Sequence, residues 1–272
     1  MITADLHTHT RYAHGKSTAR EMFAAGRERG ILLHGFSEHS PRPDGYDYPA
    51  EYREELIRAY PDYVREVLEL KDQYPGQVLL GMEMDWMEAE IAFIQNTIRA
   101  YEFDYLIGSV HFVGTWGYDF NADVWQDLAF AQRAAHYESY FRALASMAAS
   151  RLFNIAAHPD LIKIFSLDTF RQWLTRHDGL DLVRESLVAI RDAGMSMEIS
   201  SAGLRKPCRE IYPGPEIMRL AVDLRVPVVF GSDAHQAADM GFAFDELARY
   251  AASFGIERGE CVIGGACFTF SL

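Results

Sequence analysis

Seven short apolar runs punctuate the chain: MITADLH, ILLHGFSEH, QVLLGMEMD, FDYLIGSVH, LFNIAAHPD, MSMEISSAG and VPVVFGSDAH. Each holds four to seven residues of strand-like composition and then turns polar, as expected of a buried strand that ends at a surface. Amphipathic stretches lie between them. Residues 18–29 open on Thr18 and Glu21, a capping-box spacing, and stop at Gly30. Residues 51–73 carry a helical pattern that Pro61 is expected to split in two. Residues 88–99 place Ile91, Ile94 and Ile98 on one face. A longer segment, 123–149, carries Tyr137, Tyr140, Phe141, Leu144 and Met147, and 180–193, 215–224 (with Pro215 near its start) and 242–254 complete the helical series. Strand–helix alternation predicts an α/β fold with parallel strands inside and helices outside. Seven such units suit a closed or nearly closed barrel built as one domain over residues 1–272. An open doubly wound sheet is the alternative, but no glycine-rich phosphate loop follows the first strand.

The polar residues that end these runs are of one kind. The first run gives His7 and His9, the second Glu38 and His39, the third Glu83 and Asp85, the fourth His111, the fifth His158 and the seventh Asp233 and His235. In a parallel barrel every C-terminal strand end opens on the same face. Residues i and i+2 of a strand point to one side, so His7 and His9 project together, as do Asp233 and His235. The predicted result is a cluster of imidazoles and carboxylates around divalent cations. Of the ten histidines, His34 reads instead as a core residue of its strand, and His136 and His177 as solvated positions.

Composition narrows the function. The chain is 49% hydrophobic and shows neither a run of eighteen apolar residues nor a basic-then-apolar leader, so neither a membrane span nor a signal peptide is expected. Cys208, Cys261 and Cys267 form no CxxC pair, which suits a reduced cytoplasmic setting. A formal charge of −13 argues against a nucleic-acid partner. It does not argue against a small phosphorylated substrate, because bound metal ions would reverse the sign locally. Oligomeric state has no signature in the sequence.

The segments DLHTHTRYAHG, FSEHSP, GMEMD, GSVHF, AHPDL and FGSDAH resemble the PHP (polymerase and histidinol phosphatase) superfamily, from residue 3 to about 236. ISSAGLRKPCREIYPGPEIM is similar to its stand-alone histidinol-phosphatase branch. The resemblance implies a distorted (β/α)7 TIM-like barrel holding two to three divalent ions, zinc, manganese or iron. It implies that His7, His9, Glu83 and Asp233 hold the first ion, that Glu83 bridges to a second held by His111 and His158, and that His14, His39 and His235 hold a third. The implied activity is hydrolysis of the small phosphomonoester L-histidinol phosphate in histidine synthesis, with Asp233 and His235 among the catalytic groups.

Recognition of the phosphate needs cations beyond the metals. Arg205, expected among the catalytic groups with Asp233 and His235, is expected to grip it with its planar fork, with Lys163 and Ser40 as further substrate contacts, while Lys206 is expected to be exposed. Glu38 is expected to orient a ligand imidazole, and Asp5 and Asp160 to support ligands or cap turns. The loop SPRPDGYDYP, with Asp44, Tyr46, Asp47 and Tyr48, and the loop GTWGYDFN, with Trp116 and Tyr118, offer partners for a cationic substrate tail. His235 or a water would protonate the leaving alkoxide. Three alternatives compete: a PHP phosphoesterase acting on another phosphomonoester or on phosphodiesters and nucleotides, an amidohydrolase-type metal hydrolase, and a metal-binding regulator without turnover.

Overall fold

The computed structural model describes residues 1–272. Seven parallel strands run in sequential order: β1 (Ala4–Asp5), β2 (Leu33–Phe36), β3 (Val78–Asp85), β4 (Tyr105–Ser109), β5 (Ile155–Ala156), β6 (Ser196–Ser200) and β7 (Val228–Gly231). They correspond to the seven apolar runs. Most are short because the runs turn polar within a few residues.

No regular ladder joins β1 to β7, yet the barrel nearly closes. Leu6 N donates to Phe230 O at 3.3 Å and His9 N to Ala234 O at 2.8 Å. Beside them, the buried Asp5 carboxylate accepts the backbone N–H of Ser232 at 2.9 Å and of Gly241 at 3.1 Å, and also the Ser232 hydroxyl. A carboxylate so placed substitutes for missing ladder bonds.

Helices cover the outside: α1 (Ala19–Glu28), α2 (Ala50–Gln73), α3 (Ile91–Ile98), α4 (Phe130–Ala149), α5 (Leu167–Leu174), α6 (His177–Asp192), α7 (Pro215–Asp223) and α8 (Phe244–Ser253). The expected capping box of α1 is formed, with Glu21 N on Thr18 Oγ1 at 3.1 Å and Thr18 N on Glu21 Oε2 at 2.8 Å. Pro61 does not split α2. It faces solvent, while Tyr60, Tyr63, Val64 and Val67 bury one continuous stripe that holds both halves together. The 123–149 segment opens as a short 3-10 turn, Ala122–Trp125, and α4 begins only at Phe130. Of the three isoleucines expected on one face of α3, only Ile94 is fully buried. Helix α5 and a C-terminal hairpin, Arg258–Ile263 with Ala266–Ser271, were not legible in the apolar pattern.

Two apolar layers result. The larger lies between helices and sheet and includes Phe36, Tyr63, Val67, Met82, Phe141 and Trp173. The smaller fills the barrel interior, with Ala4, Leu6, Tyr105, Ile107, Ile155, Ala157 and Val229 from the strands and their ends and Cys261, Ile263 and Phe270 from the hairpin. Tyr105 crosses this interior and donates its hydroxyl to Leu6 O at 2.6 Å. Gly81 makes room for it, since a Cβ there would lie 2.6 Å from the Tyr105 ring.

Asp5→Ala is expected to strand the buried donors at Ser232 and Gly241 and cost about 2–4 kcal/mol. Denaturant unfolding would measure the loss, and a change below about 0.5 kcal/mol would mean that the seam does not depend on this carboxylate.

Candidate metal centre

The strands deliver their polar ends to one mouth. At its centre stands Glu83, from the last turn of β3, only 1% exposed. Its Oε1 faces His158 Nε2 at 3.1 Å, His7 Nε2 at 3.4 Å and His111 Nε2 at 3.6 Å. Its Oε2 faces His39 Nδ1 at 2.8 Å and His9 Nε2 at 3.5 Å. Asp233, from the loop after β7, adds a second carboxylate. Its Oδ1 lies 3.2 Å from His9 Nε2, 3.5 Å from His235 Nδ1 and 3.8 Å from His7 Nε2.

Four groupings of these side chains place their ligand atoms within 4.8 Å of one another: His7–His9–Asp233, His7–Glu83–His158, His39–Glu83–His111 and His9–His39–His235. Eight of the nine expected ligands are therefore brought together. The ninth, His14, lies in the turn after β1. Its ring stacks on His235 at 4.2 Å and on His39 at 4.8 Å, while its Nδ1 meets the Tyr52 hydroxyl at 3.1 Å. The His9–His39–His235 grouping thus draws on His9 in the place expected for His14.

Electrostatics show what the cluster lacks. Burial works to raise the Glu83 carboxyl, yet His7, His111 and His39 hold it well below the usual range. Burial likewise works against charge on His9, but the carboxylates of Asp233 and Glu38 beside its ring lift its pKa to about 9. Glu83 and Asp85 lift His111 to about 9 in the same way. His235 is pushed down to about 3 by burial and the neighbouring His9, and His39 is also pushed down. Protons on some imidazoles thus balance two buried carboxylates, while other rings stay neutral. His7 Nε2, His9 Nε2, His39 Nε2, His235 Nε2 and Glu83 Oε2 are buried without a hydrogen-bond partner. Orphaned ring nitrogens converging on carboxylates are the donor set a divalent cation requires, so the residues present fit metal.

Behind the cluster stands a ring of supporting carboxylates. Glu38 faces His9 Nδ1 at 3.2 Å and accepts Thr10 N at 2.8 Å, in keeping with its expected orienting part. Asp85 holds His111 Nδ1 and is itself held by the buried Arg42, whose Nε donates to it at 2.6 Å. Glu198, on β6, faces His7 Nδ1 at 2.9 Å. Glu198 and Arg42 escaped the reading of the sequence. Glu198 sits in MSMEISSAG, the one run that ends without a histidine or aspartate, and its signal was a lone carboxylate inside an otherwise apolar strand.

The residues expected to bind phosphate are placed differently. Arg205 turns its Nη2 to the carbonyls of Ser232 at 2.7 Å and Asp233 at 3.0 Å, and its guanidinium lies over Phe242. It fastens a backbone that is left-handed at Asp233, φ 50°, a conformation that needs support from its surroundings. Lys163 is wholly buried and donates to Glu210 Oε1 at 2.7 Å and to Ile211 O at 3.0 Å, with Asp160 Oδ2 at 2.8 Å. Asp160 accepts Gly214 N at 2.8 Å. Ser40 is buried, its N–H on Glu83 O at 2.9 Å. Lys206, expected to be exposed, instead lines a cleft of about 60 Å³ over the cluster, together with Asp119, Leu161 and Ile164. A larger cavity of about 610 Å³, lined by Trp86, Phe112 and Arg142 among others, contains no histidine.

The three remaining histidines stay apart. His34 is buried against Phe23 at 4.6 Å, His136 stacks on Trp116 at 4.1 Å, and the exposed His177 opens α6.

The PHP domain model matches residues 5–202, most of the chain and most of these ligands. The chain belongs to the PHP domain family. A probable histidinol-phosphatase of Deinococcus radiodurans is 31% identical over 250 residues, covering 90% of this chain and 91% of that protein. The histidinol-phosphatase of Bacillus subtilis is 30% identical over 265 residues, covering 90% and 98%. The PHP fold also appears in the histidinol phosphate phosphatase of Lactococcus lactis subsp. lactis, solved with zinc, L-histidinol and phosphate. That structure shares a TM-score of 0.74 at 17% identity and covers 98% of each chain.

Two outcomes follow for this PHP domain. Arg205→Ala should release the strained Asp233 backbone and lower both retained metal and activity, with Arg205→Lys intermediate. Metal analysis after gel filtration checks this, and full metal content with reduced activity would instead return Arg205 to the substrate. The second concerns pH. His9 and His111 have folded pKa values near 9, above the ordinary 6.5. Their contribution to the stability of the metal-free protein is present below about 6.5 and lost as pH rises through about 9. The Tm of metal-free protein should fall across that window, and that of metal-loaded protein much less.

Proposed function

We propose that this chain is a metal-dependent phosphomonoesterase that hydrolyses L-histidinol phosphate to L-histidinol and phosphate. The observation that carries the reading is Glu83, a buried carboxylate within 3.6 Å of five imidazoles at a barrel mouth, in a chain about a third identical along its length to a probable histidinol-phosphatase. The four groupings suit two to three ions of zinc, manganese or iron, since nitrogen and oxygen donors without thiolate favour such borderline metals. When bound, these ions supply Lewis acidity and a nucleophilic water at neutral pH.

The chain's own side chains supply recognition. Lys206 brings an ammonium to the cleft wall, where it can pair with phosphate oxygens. Asp119 brings a carboxylate to the same cleft with no salt-bridge partner of its own, suited to the substrate's ammonium. Leu161 and Ile164 give the apolar wall against which an imidazole ring can lie. His235, held neutral, is in the form that ligates metal rather than the form that donates a proton. Its place as general acid therefore passes to a water. The narrow cleft admits a terminal phosphate more readily than a polymer backbone flanked on both sides.

Phosphate release from histidinol phosphate by metal-loaded protein is expected, with loss on chelation and recovery with manganese or zinc. Absence of release under every metal would end this reading. Lys206→Met should lower kcat/KM for any monoester about tenfold to a hundredfold, the worth of a charge-assisted hydrogen bond. Asp119→Asn should do so for histidinol phosphate while sparing p-nitrophenyl phosphate, which carries no ammonium.

A further inference from the structure

Glu198 is joined to two separate parts of the metal centre. Its Oε1 faces His7 Nδ1 at 2.9 Å, and its Oε2 accepts the backbone N–H of His158 at 2.7 Å. The residue is 1% exposed, so no water competes for either bond. On the far side of its ring, His7 presents Nε2 toward Glu83 at 3.4 Å and Asp233 at 3.8 Å. On the far side of its own bond, His158 presents Nε2 to Glu83 Oε1 at 3.1 Å, from a backbone at the unusual φ of 21°.

The neighbouring strand is shaped around this carboxylate. A Cβ at Gly231 of β7 would fall 1.9 Å from Glu198 Oε1 and 2.8 Å from His7 Cβ. Only glycine leaves the space, so β7 is cut away where Glu198 must stand. The carboxylate itself is not placed as a ligand. It lies on the Nδ1 side of His7, away from Glu83, and none of the four ligand groupings includes it.

We infer that Glu198 is a positioning residue that couples two of the candidate metal sites. Resting on the metal-centre reading above, the coupling has two parts. Accepting a hydrogen bond from His7 Nδ1–H fixes the tautomer whose Nε2 is bare and ready to ligate. Accepting the His158 N–H fixes the strained backbone that aims the second imidazole. Glu38 and Asp85 each set one ligand ring, His9 and His111 respectively. Glu38 also accepts the N–H of its sequence neighbour His39 at 3.2 Å, whereas Glu198 reaches across the sheet, tying a ligand ring from β1 to the backbone of a ligand after β5.

The test uses full-length protein stripped with chelator and titrated with Zn²⁺ against a chromophoric competitor. Glu198→Gln preserves shape but can offer an amide N–H to His7 Nδ1, favouring the wrong tautomer. Its zinc affinity should fall about 10- to 100-fold, the usual loss when a partner behind a ligating histidine is removed. Gly231→Ala, which displaces the carboxylate without removing it, should reproduce the direction. Affinity within about twofold of wild type in folded Glu198→Gln would overturn the inference. Should both variants fail to fold, ¹⁵N spectra of zinc-loaded wild type still decide. His7 with a protonated Nδ1 and a metal-bound Nε2 supports the coupling, and the reverse tautomer overturns it. Failure of wild type to bind zinc at all would strike the metal-centre reading instead, and with it this inference.

Discussion

A carboxylate sealed from water must be matched by positive charge, and Glu83 is such a group. Five imidazoles approach its two oxygens, and their convergence makes sense only if the barrel's mouth is built to hold cations. Taking one buried charge out of water costs several kcal/mol, so the surrounding architecture must return that cost. It does so by bringing imidazoles to β3 from the ends of the neighbouring β2 and β4 and of the more distant β1 and β5, with Asp233 joining from beyond β7 because the barrel nearly closes. Closure and chemistry are therefore one requirement. The Asp5 seam, which ties β1 to the chain beyond β7, also places His7 and His9 beside Asp233.

Support for the ligands follows a single rule applied several times. Each of His7, His9 and His111 turns Nδ1 to a carboxylate, Glu198, Glu38 and Asp85 respectively. The backbone is fastened in the same spirit: Arg205 braces Asp233, and Glu198 braces His158. Arginine and glutamate thus meet peptide groups here, where the surface chemistry of those side chains would suggest ligands or solvent.

Much of this was legible in the sequence. Seven runs became seven strands, and the strand-end histidines and carboxylates arrived at one mouth because alternation and parallel order leave them no other place. What stayed hidden has physical reasons. A long side chain can swing through a wide arc, so Arg205 beside the site could face the phosphate or the backbone, and Lys163 could face the cleft or the interior. Lys206, the next residue after Arg205, took the cleft wall. Glu198 was hidden because an isolated carboxylate in an apolar run gives no pattern, and its partner Gly231 is informative only once the strands are paired. Pro61 misled because a ring on the solvent side costs a helix a hydrogen bond without disturbing the packed stripe beneath. The C-terminal hairpin was silent because its strands follow the last ligand and carry none.

That hairpin has a consequence for traffic through the molecule. Gly264 N reaches Asp104 O at 3.0 Å, Asn154 Nδ2 reaches Val262 O at 3.0 Å, and Ser196 Oγ reaches Glu260 O at 2.6 Å. These anchors lie where β4, β5 and β6 begin, so Cys261, Ile263 and Phe270 stopper the barrel from beneath. With the floor sealed by apolar side chains, the cleft at the mouth is the side on which the cluster meets solvent. Substrate and products then share one path, and the two products of a turnover queue for the same exit.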